Sequence, residues 1–147
     1  MKITFNSHKG NHLLGKLIRF FSRGKFNHTS INLNGVIYEA HINCGVRKTE
    51  EKDWDNKTVV AQTTFKIDVH THRTLKYWLD RQVGKKYDLF GVLSFIWRFF
   101  KPQKGKWWCS ELAMVVLAKQ FSLPVYDQKQ DPTDFYYTLQ AIYHITS

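Results

Sequence analysis

The stretch that decides the fold spans residues 27–41 and reads Asn27-His28-Thr29-Ser30-Ile31-Asn32-Leu33-Asn34-Gly35-Val36-Ile37-Tyr38-Glu39-Ala40-His41. Its centre, Asn34-Gly35, is the dipeptide most typical of a two-residue hairpin turn, because both residues adopt positive φ readily. Two β-prone runs flank this turn, at residues 26–33 and 36–42. The stretch therefore predicts an antiparallel β-hairpin.

The turn also determines which side chains of the hairpin share a face. With a two-residue turn Leu33 pairs with Val36, and alternation along each strand places His28, Ser30, Glu39 and His41 on one face. His28 and Glu39 are then diagonal neighbours, ~7–8 Å apart, a gap that long side chains bridge. A histidine oriented by a carboxylate is half of a nucleophile–base–orienter triad. The alternative is a set of ordinary hydrophilic residues on a solvated sheet face.

Cys109 is the candidate nucleophile. It stands at the first turn of an apolar helix predicted over residues 109–121, after two lysines and a Trp-Trp pair. A helix N-terminus carries about half a positive charge and free N–H groups, so it favours a thiolate and can donate to an oxyanion. The alternative for a lone cysteine is a small buried hydrophobe. Cys44, in a predicted loop, is expected to be structural.

The other predicted elements indicate the α+β class, since helix, hairpin, strand and further helices follow one another along the chain. They are a strand at 2–6, an amphipathic helix marked by Leu14, Leu17, Ile18 and Phe21 and ended by Gly24, one or two strands at 58–69, and helices at 71–83, 88–100 and from Asp131-Pro132 onward. The segment 88–100 is apolar nearly all round, which predicts a buried helix or one that meets lipid. No repeat or linker interrupts the chain, so residues 1–147 are expected to form one domain.

The charge of the chain predicts a polyanionic partner. Twenty-two Lys and Arg against 12 Asp and Glu give a formal net charge of +10. Such a charge suits nucleic acid, a charged envelope polymer or an anionic membrane surface, although solubility alone is the plainer explanation.

Neither a membrane span nor a secretion signal is expected. No stretch reaches the ~18–20 apolar residues that a span needs, and no apolar region follows the first charges at the N-terminus. A cytoplasmic or virion-associated protein, or one released by lysis, is the expectation. Two cysteines without ligand spacing predict neither a disulfide framework nor a metal or other cofactor.

Several motifs resemble those of a known family. Around the cysteine, the chain resembles the G-x-x-Y…C-S-x-L-V signature of NlpC/P60 cysteine peptidases through Val83-Gly84-Lys85-Lys86-Tyr87-Asp88, Gly91 and Trp108-Cys109-Ser110-Glu111-Leu112-Ala113. In most members the histidine follows the cysteine, whereas His28 precedes it here. The order His–Glu–Tyr–Cys is similar to the circularly permuted branch, which includes YiiX-like bacterial enzymes and poxvirus relatives. Asp131-Pro132-Thr133-Asp134-Phe135 resembles the Ser-Pro-x-Asp-Leu segment that closes that branch.

The resemblance implies a papain-like fold, circularly permuted, in which a small antiparallel sheet packs on the cysteine-bearing helix. Cys109 would be the nucleophile, His28 the base and Glu39 the orienter, while Tyr87, Trp108 and Ser110 would serve substrate binding or the oxyanion. The implied reaction is cleavage of a peptide or peptidoglycan-like amide through a thioester. Acyl transfer on lipids is the alternative, and the aromatic, basic segment 89–108 suits it.

Two further hypotheses come from the residues themselves. A non-catalytic module could bind nucleic acid or an envelope polymer through the Lys and Arg residues interleaved with five tryptophans. Its affinity would fall steeply with salt and would not depend on Cys109. His70-Thr71-His72 could mark a metal site, although two histidines at this spacing lack a third ligand.

Overall fold

The computed structural model describes residues 1–11, 15–16, 19–20, 23–95, 99–123 and 130–146. These residues have a mixed α+β architecture with one five-stranded antiparallel sheet. The strands are β1 (Lys2–His8), β2 (His28–Leu33), β3 (Val36–His41), β4 (Gly45–Glu50) and β5 (Val59–Lys66), in the sheet order β4-β3-β2-β1-β5. Four helices follow: α1 (Val69–Asp80), α2 (Leu89–Leu93), α3 (Cys109–Gln120) and α4 (Pro132–Thr146).

The predicted hairpin is confirmed as β2 and β3. Asn34 and Gly35 adopt φ values of 50° and 96°, and Leu33 pairs with Val36 as expected. The Gly35 N–H also donates to Asn32 Oδ1 at 2.8 Å, which closes the turn. β1 then pairs with β2 on one side and with β5 on the other, so it is the strand that joins the hairpin to the rest of the sheet.

The strand β4 was not predicted. It is an edge strand whose outer residues are polar and exposed, so it shows no alternation of apolar and polar side chains. It pairs with β3 from His41–Gly45 to Val36–Glu50. Cys44 lies in the turn between the two strands and is exposed, as the predicted loop required.

The helix predicted over 88–100 is wrong beyond Leu93 within the described residues. Asp88 Oδ1 accepts from the Gly91 N–H at 2.8 Å and caps the start of α2. Ser94 closes the end, because its hydroxyl donates to the Gly91 carbonyl at 2.6 Å. Polar capping at both ends therefore limits α2 to about one turn, although the apolar composition continues. The four residues that predicted the N-terminal helix, at 14, 17, 18 and 21, lie outside the described residues.

α3 brings the cysteine to the sheet. One face of the hairpin supplies Ile31, Leu33, Tyr38 and Ala40 to the core, and α3 packs on it with Leu112, Ala113, Val116 and Leu117, all at most 2% exposed. Burial of each large aliphatic side chain contributes roughly 1.5–3 kcal/mol. Because this contact fixes α3 against β2 and β3, it also fixes where the first residue of α3 lies. No helix formed by the described residues is long and apolar enough to cross a membrane.

Candidate active site

The sheet and α3 bring three predicted residues together. His28 begins β2, Glu39 lies near the end of β3, and Cys109 is the first residue of α3. Cys109 is close enough to His28 to help raise the pKa of the imidazole, and His28 Nε2 lies 2.7 Å from Glu39 Oε2. The predicted bridge between His28 and Glu39 is therefore confirmed. Since Glu39 occupies Nε2, Nδ1 is the ring nitrogen left for the sulfur.

Arg47 completes the carboxylate side of this arrangement, and the sequence reasoning missed it. Its Nε and Nη2 donate to Glu39 Oε1 at 2.9 and 2.7 Å, leaving the other carboxylate oxygen to His28. The Glu39 side chain is 5% exposed, so its charge needs both partners. Arg47 lies on β4, opposite Glu39 in the β3–β4 register. Prediction of β4 would have been enough to find it.

The electrostatics of the site favour a charged His28. Burial alone would lower the pKa of His28, but hydrogen bonds and charge attraction from Cys109 and Glu39 outweigh burial and raise the pKa to about 10. Burial likewise works to raise the pKa of Glu39, yet its bonds to His28 and Arg47 lower that pKa to about 2. At neutral pH the site therefore holds an imidazolium against a carboxylate.

Tyr87 lies beside the cysteine, as predicted. A short parallel bridge joins it to Trp107, the residue that precedes Trp108 and the start of α3. Burial first, and then the charges of Cys109 and Asp88, raise the pKa of Tyr87 well above 10. A tyrosine hydroxyl is protonated at neutral pH in any case, and this shift extends that protonation into alkaline solution, so the group can act as a hydrogen-bond donor in the site.

Trp108 and Ser110 are placed differently from what their predicted roles suggest. The Ser110 hydroxyl donates to the Gln130 carbonyl at 2.6 Å, and Trp108 Nε1 points to the same oxygen at 3.4 Å. Both side chains are buried and hold the segment that leads into α4. The backbone N–H groups at this helix start are candidate oxyanion donors, because the first N–H groups of a helix have no acceptor within it.

A cavity of about 510 Å³ opens beside His28, whose side chain is 20% exposed. Such a volume suits a ligand of the size of a few amino-acid residues. Polar and aromatic side chains dominate its wall: His8, Asn27, His28, Glu39, His41, Asn43, Arg47, Trp54, Asp55, Thr58 and Tyr87. Glycines, Ala40 and Ile42 complete the lining.

His41, the alternative orienter, does not take the place of Glu39. Its ring centroid lies 6.5 Å from that of His28, and its Nδ1 accepts from the Asn43 N–H at 3.3 Å. Among the described residues, no group of three or more His, Cys, Asp or Glu is arranged to hold a metal, so the alternative of a metal site at His70 and His72 gains no further ligand. His70 lies exposed on the first turn of α1.

A backbone link joins the two halves of the site. The Val46 N–H donates to the Lys85 carbonyl, and the Gly84 N–H donates to the Val46 carbonyl, both at 2.8 Å. Gly45, at φ 72°, allows this approach, since a Cβ at that position would collide with the Lys85 carbonyl oxygen. The link ties β4, which carries Arg47, to the segment that carries Tyr87.

Comparison with known proteins adds no family to these observations: no protein-family model matches the chain, and no curated protein matches it. Function must therefore be inferred from the residues of the site and their geometry.

Proposed function

We propose that the chain is a cysteine hydrolase with a permuted NlpC/P60-like fold, which cleaves an amide bond of a peptide or peptidoglycan-like substrate through a thioester. One observation carries the proposal: Cys109, at the start of a buried helix, acts on His28 strongly enough to help raise its pKa, and His28 is hydrogen-bonded to Glu39. Nucleophile, base and orienter in this order are the working parts of a thiol hydrolase.

The arrangement of Cys109, His28 and Glu39 suggests the following reaction. The Cys109 thiolate attacks the carbonyl carbon, so a C–S bond forms and the carbonyl electrons move onto oxygen. The N–H groups at the start of α3 and the Tyr87 hydroxyl are the candidate donors to this oxyanion. When the C–N bond breaks, the imidazolium of His28 gives its proton to the leaving amine. Water then attacks the thioester, His28 accepts a proton from it, and the acid leaves as the thiolate is restored.

Glu39 and Arg47 support these proton transfers. Glu39 holds the ring in one orientation and stabilises its charged form, and Arg47 keeps Glu39 ionised within a buried setting. An ionised carboxylate behind the ring raises its basicity, which helps it to hold the proton until the amine leaves.

The test is capture of the acyl-enzyme. A small activated ester such as p-nitrophenyl acetate should transfer one acetyl group to Cys109, visible by intact mass and peptide mapping, and slow hydrolysis should follow. The Cys109→Ala variant should show neither event, and Cys44→Ser should behave as the wild type. A wild-type protein that acquires no acyl group at Cys109 would contradict the proposal.

A second candidate, acyl transfer on lipids, is favoured by one observation. Between Tyr87 and Cys109 the structure exposes large apolar side chains, with Leu89 40%, Phe90 42% and Phe99 93% exposed. Such a surface suits contact with acyl chains. Phospholipid ester turnover in vesicles that exceeds peptide cleavage in solution, and that falls in Phe90→Ser and Phe99→Ser, would favour this candidate. Salt-sensitive binding of nucleic acid that survives in Cys109→Ala, without acyl transfer, would instead favour the non-catalytic module.

A further inference from the structure

His8 lies behind the His28 ring, at a position that the mechanism above does not use. Antiparallel pairing of β1 with β2 sets the two residues opposite each other. Their ring centroids are 5.0 Å apart with an interplanar angle of 56°. Trp54 also packs on His8, edge-on with ring centroids 5.5 Å apart. At 3% exposure, His8 is therefore a buried ring in contact with both the candidate base and an indole.

A chain of side-chain hydrogen bonds determines the tautomer of His8. Gln62 Nε2 donates to Asn6 Oδ1 at 2.9 Å, and Asn6 Nδ2 donates to Ser30 Oγ at 3.1 Å. Ser30 Oγ is buried, and its other side-chain partner is His8 Nε2, 2.9 Å away; because Asn6 Nδ2 can only donate, the Ser30 hydrogen finds an acceptor when it points to His8 Nε2. With Nε2 as acceptor, the ring proton lies on Nδ1 and points to Thr58 Oγ1 at 2.9 Å.

This chain opposes a second proton on His8. Protonation would make Nε2 a donor, and Ser30 Oγ would then face two donors while its own hydrogen lost its acceptor. The charged groups packed against His8 act in both directions, since His28 repels a positive charge and Glu39 attracts one. Burial is the largest influence and, together with His28, lowers the pKa of His8 to about 3 despite Glu39.

We propose that His8 is a positioning residue: a neutral ring, locked in the Nδ1–H tautomer, that holds the His28 ring in line with Cys109 without placing a second positive charge beside it. The inference rests on the proposed function, because it assigns His8 to the same cysteine–histidine pair. An ordinary core histidine would need packing alone, whereas this role also requires one tautomer and an uncharged ring.

The first experiment reads the tautomer directly. Long-range ¹H–¹⁵N correlation spectra of the wild-type protein distinguish Nδ1–H from Nε2–H rings. We expect His8 to remain neutral in the Nδ1–H form from pH 5 to pH 8. Ser30→Ala should weaken this preference, because the donor to Nε2 is lost. A wild-type His8 in the Nε2–H form, or one that titrates within this range, would overturn the proposal, and neither result depends on catalysis.

The second experiment reads the effect on the pair. Iodoacetamide labelling of Cys109 is followed by peptide mass spectrometry as a function of pH, so that Cys44 is scored separately. His8→Ala should slow labelling of Cys109 about tenfold at pH 6 and move the rise of the rate to higher pH. His8→Phe keeps an uncharged ring but loses the bonds to Ser30 and Thr58, so its labelling rate should fall between those of His8→Ala and the wild type. His70→Ala removes an exposed histidine and serves as the matched control.

The outcomes separate the two proposals. If His28→Ala labels at Cys109 as fast as the wild type, the cysteine–histidine pair itself is wrong. If His28→Ala is slow but His8→Ala behaves as His70→Ala, the role of His8 is wrong and the hydrolase stands. Should His8→Ala fail to fold, the role of His8 is tested by its tautomer in the wild-type protein and by the labelling rate of Thr58→Val. Loss of the Thr58 hydroxyl should slow labelling three- to tenfold, and an unchanged rate would overturn the inference.

Discussion

The Arg47 guanidinium holds one oxygen of Glu39 through two nitrogens, Nε at 2.9 Å and Nη2 at 2.7 Å, while the other oxygen of the same carboxylate faces His28. Arg47 is about half exposed and Glu39 is buried. The paired arginine thus lets a buried carboxylate stay charged at the point where the imidazole needs a counter-charge.

Replacement of Arg47 by methionine should therefore impair the site through Glu39. We expect the pKa of Glu39 to rise, hydrolysis of the activated ester to fall about threefold to tenfold, and unfolding free energy to drop by about 1–2 kcal/mol, reduced from a fully buried pair because Arg47 is half exposed. Arg47→Lys keeps the charge but loses the two-pronged contact, so its loss should be smaller. Steady-state kinetics and urea unfolding measure both effects. Equal losses in the two variants would contradict a role for the bidentate geometry.

Loss of His28 should reduce activity more than loss of the Glu39 charge. His28→Ala removes the proton carrier and should reduce kcat/KM about 10³-fold or more. Glu39→Gln should cost about 10- to 100-fold, because an amide oxygen can still accept a hydrogen bond from the ring. His41→Ala should cost less than Glu39→Gln. A severe His41→Ala beside a mild Glu39→Gln would mean that His41 orients the base.

Tyr87→Phe should lower kcat about 10²-fold with little change in KM, since one donor to the oxyanion is lost. The raised pKa of Tyr87 keeps that donor protonated in alkaline solution as well as at neutral pH. Labelling of Cys109 by iodoacetamide, which forms no oxyanion, should remain within about threefold of the wild-type rate. Tyr77→Phe, at an exposed tyrosine of α1, is the control. Equal loss of labelling and turnover would indicate disturbed packing instead.

Stability should pass through a maximum near pH 6.5, because the pKa of His8 falls from 6.5 to about 3 on folding and its contribution is lost as pH decreases below 6.5. The pKa of His28 rises from 6.5 to about 10 on folding, so its contribution is complete below pH 6.5 and is lost as pH increases toward 10. The pKa of Glu39 falls from 4.5 to about 2, so its contribution is complete above pH 4.5 and is lost as pH decreases toward 2. Urea unfolding of the wild type and of His28→Ala should converge at high pH. Curves that stay parallel up to pH 10 would disprove the assignment for His28.

Gly45→Ala should be among the most damaging substitutions of a small residue. Both strain at φ 72° and the collision with the Lys85 carbonyl oppose the new methyl group, and we expect a loss on the order of 3 kcal/mol or more. Gly105→Ala isolates the first term, because Gly105 has φ 78° and open space around its Cβ position. That variant should lose only about 1–2 kcal/mol. Thermal unfolding of both variants measures the difference, and equal losses would show that the backbone contact is dispensable.

A feature of the site could be predicted from the sequence when its interacting residues are close together along the chain. The Asn34-Gly35 turn is local, and it was enough to place His28 and Glu39 on one face. Arg47 was not predicted, because the exposed edge strand that carries it shows no alternation of apolar and polar residues. His8 was not predicted either. Its place beside His28 results from pairing between strands about 20 residues apart in the chain, and the strand predicted at 2–6 ended before residue 8. Likewise, nothing near Ser110 in sequence indicates that its hydroxyl binds Gln130.

The order of the elements along the chain has a consequence for biosynthesis. All five strands precede the helix that covers the apolar face of β2 and β3. Some 50 residues separate the end of β5 from the end of α3, which corresponds to roughly 3–10 s of translation at about 5–20 residues per second. During that interval the nascent sheet exposes its apolar face, and neither the base nor the carboxylate has its cysteine. We therefore expect chaperones to bind the nascent chain until α3, which carries the nucleophile, has emerged from the ribosome.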